Sequence, residues 1–237
     1  MTHTEFISRF DILYNNIASN KAPGISDYEK SVFLTKAQYE VLKNYFNPKG
    51  NKYSEGVDDS IKRQIDFSSL MKVAAGTIAS GTSLNIDSRS NMFSLPIDVL
   101  FILNETVKLS TNNILQVNPL GYSQYTLLMQ RPLKEPLKNE AWRLINTQST
   151  NLTLVEIITH TGDTISTYLI RYIKKPVPII LADLTAYNQT IEGASAITEC
   201  ELNSELHEEI LQRAVELAKA AFIGEAKDII ELGQRSE

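Results

Sequence analysis

The sequence predicts an α+β fold, with a helical core built from an N-terminal helical hairpin and C-terminal helices, and a β-hairpin-rich insertion between them. Three observations predict it. Apolar residues recur at helical spacing near both ends of the chain. β-Branched and aromatic runs dominate the middle. Clusters of Gly, Pro and Asn separate these stretches. The implied organisation assigns residues 1–71 and 182–237 to the helical core and residues 72–181 to the insertion.

At the N-terminus, Phe6, Phe10, Leu13 and Ile17 are spaced four, three and four apart, which places them on one stripe of a helix. Asn20 to Gly24 breaks it. Ser26-Asp27-Tyr28-Glu29 has the pattern of a capping box, in which the Ser26 hydroxyl accepts from the Glu29 amide and the Glu29 carboxylate reaches back. In the helix that follows, Leu34, Ala37, Val41 and Tyr45 share a face, widened by Val32, Tyr39 and Phe46, and Asn47 to Asn51 ends it. So broad an apolar belt fits either the centre of its own domain or burial against neighbouring subunits. Val57, Ile61 and Ile65 predict a short third helix between Gly56 and Met71.

Residues 73–96 read as extended or loop-like, with the Met92-Phe93 pair anchoring them to the core. Val99 to Leu103, continued in alternation by Glu105, Val107 and Leu109, reads as a strand, and Asn112-Asn113 turns it into a hairpin with Ile114 to Val117. A short helix is expected from Tyr122 to Gln130 and a strand at Trp142 to Ile145. Leu152 to Ile158 and Ile165 to Ile173, joined by Thr161-Gly162-Asp163, read as the clearest hairpin. Pro176 and Pro178 stop the pairing because each lacks an N–H donor. Leu206, Ile210, Ala214, Leu217 and Ala221 then hold the helical period, with Ser204 as the expected cap and Gly224 as the stop. Ala226 to Leu232 forms a last, short amphipathic segment.

The chain has 237 residues, 43% hydrophobic and 22% charged, with a formal charge of −5. Such values fit an ordered globular protein and argue against a dedicated nucleic-acid binder, whose binding face would be basic. A mildly acidic wall remains compatible with DNA sliding past. One cysteine, Cys200, excludes an intrachain disulfide, and its neighbours Glu199 and Glu201 disfavour a thiolate. No run reaches the ~18 apolar residues of a membrane span, and the N-terminus lacks the pattern of a signal peptide.

The residues that would carry catalysis are missing from the sequence pattern. His3, His160 and His207 sit in three different elements without ligand spacing, and the latter two read as surface residues. Gly76 to Ser83 has the outline of a phosphate loop without its lysine. The carboxylate pairs Asp58-Asp59, Glu199 with Glu201, and Glu208-Glu209 each fit a cap or a solvated face. No cofactor, metal or enzymatic activity is expected. The small basic groups Lys62-Arg63, Arg171 and Lys174-Lys175 are candidates for contact with phosphate or with an acidic partner.

Three strings resemble a group of virion proteins from crAss-like phages of gut bacteria: Ser26 to Gln38, Ile170 to Leu181 around its two prolines, and Leu206 to Ile210. They occur in matching order across residues 6–222. The resemblance implies a connector, adaptor or tail ring protein, stacked beneath the portal in about twelve copies and prolonging the channel through which DNA passes. It implies as partners further copies of the chain, the portal and neighbouring tail proteins, and genomic DNA without sequence specificity. It places assembly in the host cytoplasm. The residues expected at the oligomer or core interface are Leu34, Ala37, Val41, Tyr45, Leu206, Ile210 and Leu217. The alternative is a virion decoration or fibre-docking protein present as separate copies.

Overall fold

The structure is a computed structural model that describes residues 1–15, 24–46, 61–79, 85–87, 89–130, 135–149 and 152–223. It is mixed α+β and divides into two compact units, one from Met1–Leu70 with Pro176–Glu237 and one from Met71–Lys175.

The first unit contains α1 (His3–Asn15), α2 (Asp27–Phe46), the short α3 (Ile61–Asp66) and α5 (His207–Ile223). The expected capping box starts α2: the Ser26 amide donates to Glu29 Oε2 at 2.8 Å and the Glu29 amide to Ser26 Oγ at 3.3 Å. Ser204 does not cap α5. It lies in a 3-10 turn, Ser204–Leu206, that leads into the helix, and its hydroxyl bonds Asn203. Ile17, the breaker at 20–23, residues 47–60, Gly224 and the 226–232 segment lie outside the described residues.

Apolar periodicity accounts for one side of α2; its other side is polar and equally buried. Ser31, Thr35 and Gln38 are all nearly inaccessible. They face the extended segment Pro176 to Leu181, which the prolines keep out of the sheet. The Leu181 amide donates to Ser31 Oγ at 3.0 Å. Ile179 donates its amide to Thr35 Oγ1 at 3.1 Å, and Gln38 Nε2 donates to the Val177 carbonyl at 3.2 Å. Alternate residues of a strand advance about 6.6 Å and one turn of a helix about 5.4 Å, close enough for three successive partners to meet. The segment's other edge is bridged by Ile180 and Thr198.

Helix α1 lies against α5 through Phe6, Phe10 and Tyr14. Met1, two residues before this helix, is fastened by His207. The ring stacks obliquely on Phe6, Nδ1 accepts from the Met1 ammonium at 2.5 Å, and Nε2 donates to the Leu202 carbonyl at 2.9 Å. His207 is therefore buried, contrary to the surface position expected from its acidic neighbours, because its imidazole fills the gap beside Phe6. Burial lowers its pKa and the nearby ammonium adds to this, against the opposing pull of the Leu202 carbonyl, Glu199 and Glu5. Lys30 is buried as well. Desolvation alone would lower its pKa, yet Asp11 at 2.9 Å and Asp27 at 3.1 Å outweigh it and raise the value.

The second unit is one eight-stranded sheet: β1 (Met71–Ala75), β2 (Thr77–Ile78), β3 (Ser90–Ser94), β4 (Val99–Leu109), β5 (Ile114–Pro119), β6 (Glu140–Ser149), β7 (Leu152–Ile158) and β8 (Ile165–Lys174). The lateral order is β1-β8-β4-β5-β6-β7-β3-β2. Its two outermost strands, β1 and β2, are separated by Gly76 alone, so the sheet curls until its edges meet and is nearly a barrel. The interior is filled by alternate residues of six strands, among them Phe93, Val107, Leu115, Val155, Tyr168 and Ile170. Glu105 is also turned inward, where the Tyr168 hydroxyl donates to it and Arg143 Nε stands 2.9 Å away. Burial outweighs both partners and raises the Glu105 pKa.

The β4–β5 hairpin forms as expected, with Asn112 at φ 66° in its turn. The other predicted hairpin does not. The chain reverses at Gly162, with φ 90°, but β7 pairs with β6 and β3, while β8 pairs with β4 and β1. Turn chemistry specifies a reversal, whereas pairing is decided by which edges the closed sheet leaves open. The β5–β6 pair is parallel, and helix α4 (Tyr122–Met129) makes the crossover. Tyr125 of α4 packs with Trp142, Leu144 and Ile158 on the outer face. Glu156, fully buried in the middle of the apolar run of β7, accepts from the amides of Ile86 and Asp87 and from Ser90 Oγ, which ties the preceding loop to the sheet.

Replacing Thr35 by Val leaves the Ile179 amide unpaired and should cost about 1–3 kcal/mol in urea unfolding, with Thr35→Ser restoring most of it. A Cβ at Gly76 would meet Tyr168 Cδ1 at 2.5 Å, and that ring is held by Phe93 and Glu105. Gly76→Ala should therefore destabilise by about 1–3 kcal/mol, read as a lowered urea midpoint. The lowered His207 pKa makes the unfolded chain bind the extra proton first. This contribution to stability is present above the ordinary value of 6.5 and is lost as the pH falls below it. Urea midpoints at about pH 7.5 and about pH 5.5 should differ less in His207→Gln than in the native chain.

Candidate assembly surface

Helices α2 and α5 pack antiparallel. Near one end the Tyr45 hydroxyl donates to Glu209 Oε2 at 2.8 Å, and further along Arg213 Nε bonds Glu40 at 2.6 Å. Leu34, Ala37 and Val41 of α2 and Ile210 and Leu217 of α5 are buried, as is Leu206 just before α5. Tyr45 is half-buried, with its ring edge-on to Phe67 at 5.7 Å. These seven residues come together in the helical core of the chain itself.

What the two helices leave exposed is polar and differs between them. On α2 the exposed stripe includes Val32, Lys36 and Lys43. Val32, expected to widen the apolar face, is 37% accessible because its position on the wheel lies away from α5. On α5 the stripe is Glu208, Gln212 and Glu216. Glu208 pairs with Arg9 at 3.0 Å and Glu216 with Arg213 at 3.1 Å, and both carboxylates keep about half or more of their side-chain surface in water. Exposed pairs of this kind hold their partners weakly. The sequence signal for these positions was available in the gaps of the apolar period, which a search for greasy surface passes over.

The predicted cations lie on separate elements. Lys62 lies on α3 with its ammonium 4.0 Å from Glu205, and Arg63 follows it in the same helix. Arg171 is exposed on the outer face of β8, opposite Val73 of β1 and Asn104 of β4. Lys174 ends β8, and the Lys175 amide donates to the Asp98 carbonyl at 2.6 Å.

Reactive groups are restrained by their surroundings. Burial pushes the Cys200 thiol up to about 11, with Glu201 adding to it, so the group is a thiol rather than a nucleophile. Glu199 lies 3.8 Å from His3, and Glu201 accepts from the Val177 amide, so this carboxylate pair is engaged in holding the chain. His160 sits beside the Pro136 carbonyl and Glu135, at the rim of a cleft of about 360 Å³ that Arg89, Asn91 and Asp163 also line. Arg89 is already bound to Asp87 at 2.5 Å. Among the described residues, no group of three His, Cys, Asp or Glu side chains is arranged to hold a metal, and no helix is long and apolar enough to cross a membrane.

A family model for phage tail ring protein 3/4 matches residues 1–228. "Ring protein 4/5" of Bacteroides phage crAss001 is 52% identical over 240 residues, covering the whole of both chains. "Ring protein 3" of the same phage is 30% identical over 225 residues, 92% of this chain and 95% of the relative. The three strings that carried the resemblance in the sequence are explained by the fold. Ser26 to Gln38 and Pro178 to Leu181 are the two sides of the polar contact along α2, and Leu206 to Ile210 begins the helix packed beside it. The match runs through both structural units, and the chain belongs to the phage tail ring protein 3/4 family.

Proposed function

We propose that the chain is a structural subunit of an oligomeric ring in the head-tail connector or tail of a bacteriophage. In this role it stacks below the portal and extends the channel for DNA. The observation that carries it is the match, end to end on both sides, to a protein named as a ring protein. A cyclic ring of about twelve copies uses two different surfaces on each copy, repeated around the axis. The contrasting stripes of α2 and α5 supply surfaces of that kind. No reaction is needed for this role, and the raised thiol pKa of half-buried Cys200 and the buried, hydrogen-bonded ring of His207 support a non-enzymatic subunit.

The partners in this role are further copies, the portal and neighbouring ring proteins, with assembly onto the virion in the host cytoplasm. DNA passes without sequence-specific contact. Arg171 stands on an outer sheet face opposite Asn104 and Val73, with no carboxylate paired opposite it on either neighbouring strand. It is the most exposed of the candidate phosphate contacts on β8. Lys62, Arg63, Lys174 and Lys175 are the other candidates.

Purified chain, alone and mixed with neighbouring ring proteins, should give one defined closed multimer by mass photometry. Leu34→Asp should lose it together with the fold, since Leu34 is buried in the chain's own core. A native chain that stays monomeric in both settings would overturn the proposal.

A further inference from the structure

Residues 30–40 of α2 and 210–220 of α5 follow the same order of buried, intermediate and exposed positions. Val32 and Gln212 are equivalent in this order, and so are Lys36 and Glu216. The two helices run antiparallel, joined by Glu40–Arg213 and Tyr45–Glu209. Their apolar sides are equivalent and mutually satisfied, while their exposed sides differ in charge. Among the described residues, Lys36 and Lys43 make no ion pair. On α5 the equivalent face carries Glu208 and Glu216, whose side chains are 48% and 61% accessible.

Two stripes of opposite charge on one subunit are what a head-to-tail contact between copies requires. An isologous contact would use one surface twice, whereas a ring joins two different surfaces, and complementary charge fixes which meets which. We infer that the α2 stripe of one copy, Val32, Lys36 and Lys43, docks on the α5 stripe of the next copy, Glu208, Gln212 and Glu216. The inference rests on the ring reading above and names the contact that closes it. The two lysines gain an ion-pair partner there. Glu208 and Glu216 each keep free acceptor capacity, because a carboxylate accepts from several donors and each is bonded by one arginine nitrogen.

The test is a charge swap followed by mass photometry across protein concentration. Lys36→Glu with Lys43→Glu touches no ion-pair partner among the described residues, so its melting temperature should match the native chain. The concentration needed for assembly should rise about ten-fold or more. Glu208→Lys with Glu216→Lys should raise it similarly, and the four changes combined should restore assembly of that chain with itself. Lys36→Gln with Lys43→Gln gives a smaller rise and decides the matter if the acidic-side variants fold poorly. A native chain that forms no multimer overturns the ring reading. A native chain that assembles while both lysine variants assemble equally well leaves the ring reading intact and overturns this contact.

Discussion

The helical unit depends on the hydrogen bonds between α2 and the segment that returns from the sheet. Ser31, Thr35 and Gln38 supply what a neighbouring strand would otherwise supply to Val177, Ile179 and Leu181. Without them, buried amides would be stripped of water and left unpaired, which costs more than an ordinary hydrogen bond returns. The same contact sets where the chain goes next. It holds the segment whose other edge bridges Thr198, and from there the chain reaches Leu202, His207 and α5. α5 in turn supports α1. One polar face therefore determines how two distant parts of the sequence make one core.

Much of this fold was legible. The capping box at Ser26, the apolar spacing of α1, α2 and α5, the β4–β5 turn and the helix at Tyr122 all follow from local chemistry. That chemistry acts within a few residues and so leaves a mark in a single sequence. What was not legible was set by partners far along the chain. Buried Ser31, Thr35 and Gln38 look like ordinary polar positions until the segment they bond is known. His207 looks like a surface residue until Phe6 and Met1 are beside it. The β7 and β8 strands were recognised, but their separation follows from the closure of the whole sheet, and no turn signal encodes that. Of the candidate assembly surface, the helices that carry it are legible in their apolar period, and burial of Leu34, Ala37, Val41, Leu206, Ile210 and Leu217 fits one of the two readings that this period allows, the centre of the chain's own domain.

The strand unit shows the same division between local and global determinants. Gly76 has no turn to make, and its small size matters because Tyr168 passes against it where the first and last strands adjoin. Closure places Glu105 and Arg143 inside with Tyr168, a buried ionic contact within an otherwise apolar interior. Such a contact is costly to desolvate and defines the relative positions of β4, β6 and β8 more sharply than apolar packing alone. A sheet closed in this way presents little unpaired edge, which limits unintended strand addition.

The polar contact along α2 also has a consequence in time. Its partners stand 139 to 150 residues apart in sequence. While the chain is being synthesised, α2 emerges long before Pro176 to Leu181, and its hydroxyls remain hydrated until the far segment arrives. Long-range pairing of this kind forms late. A nascent or truncated polypeptide thus lacks a finished helical layer, which is complete only once translation has passed α5.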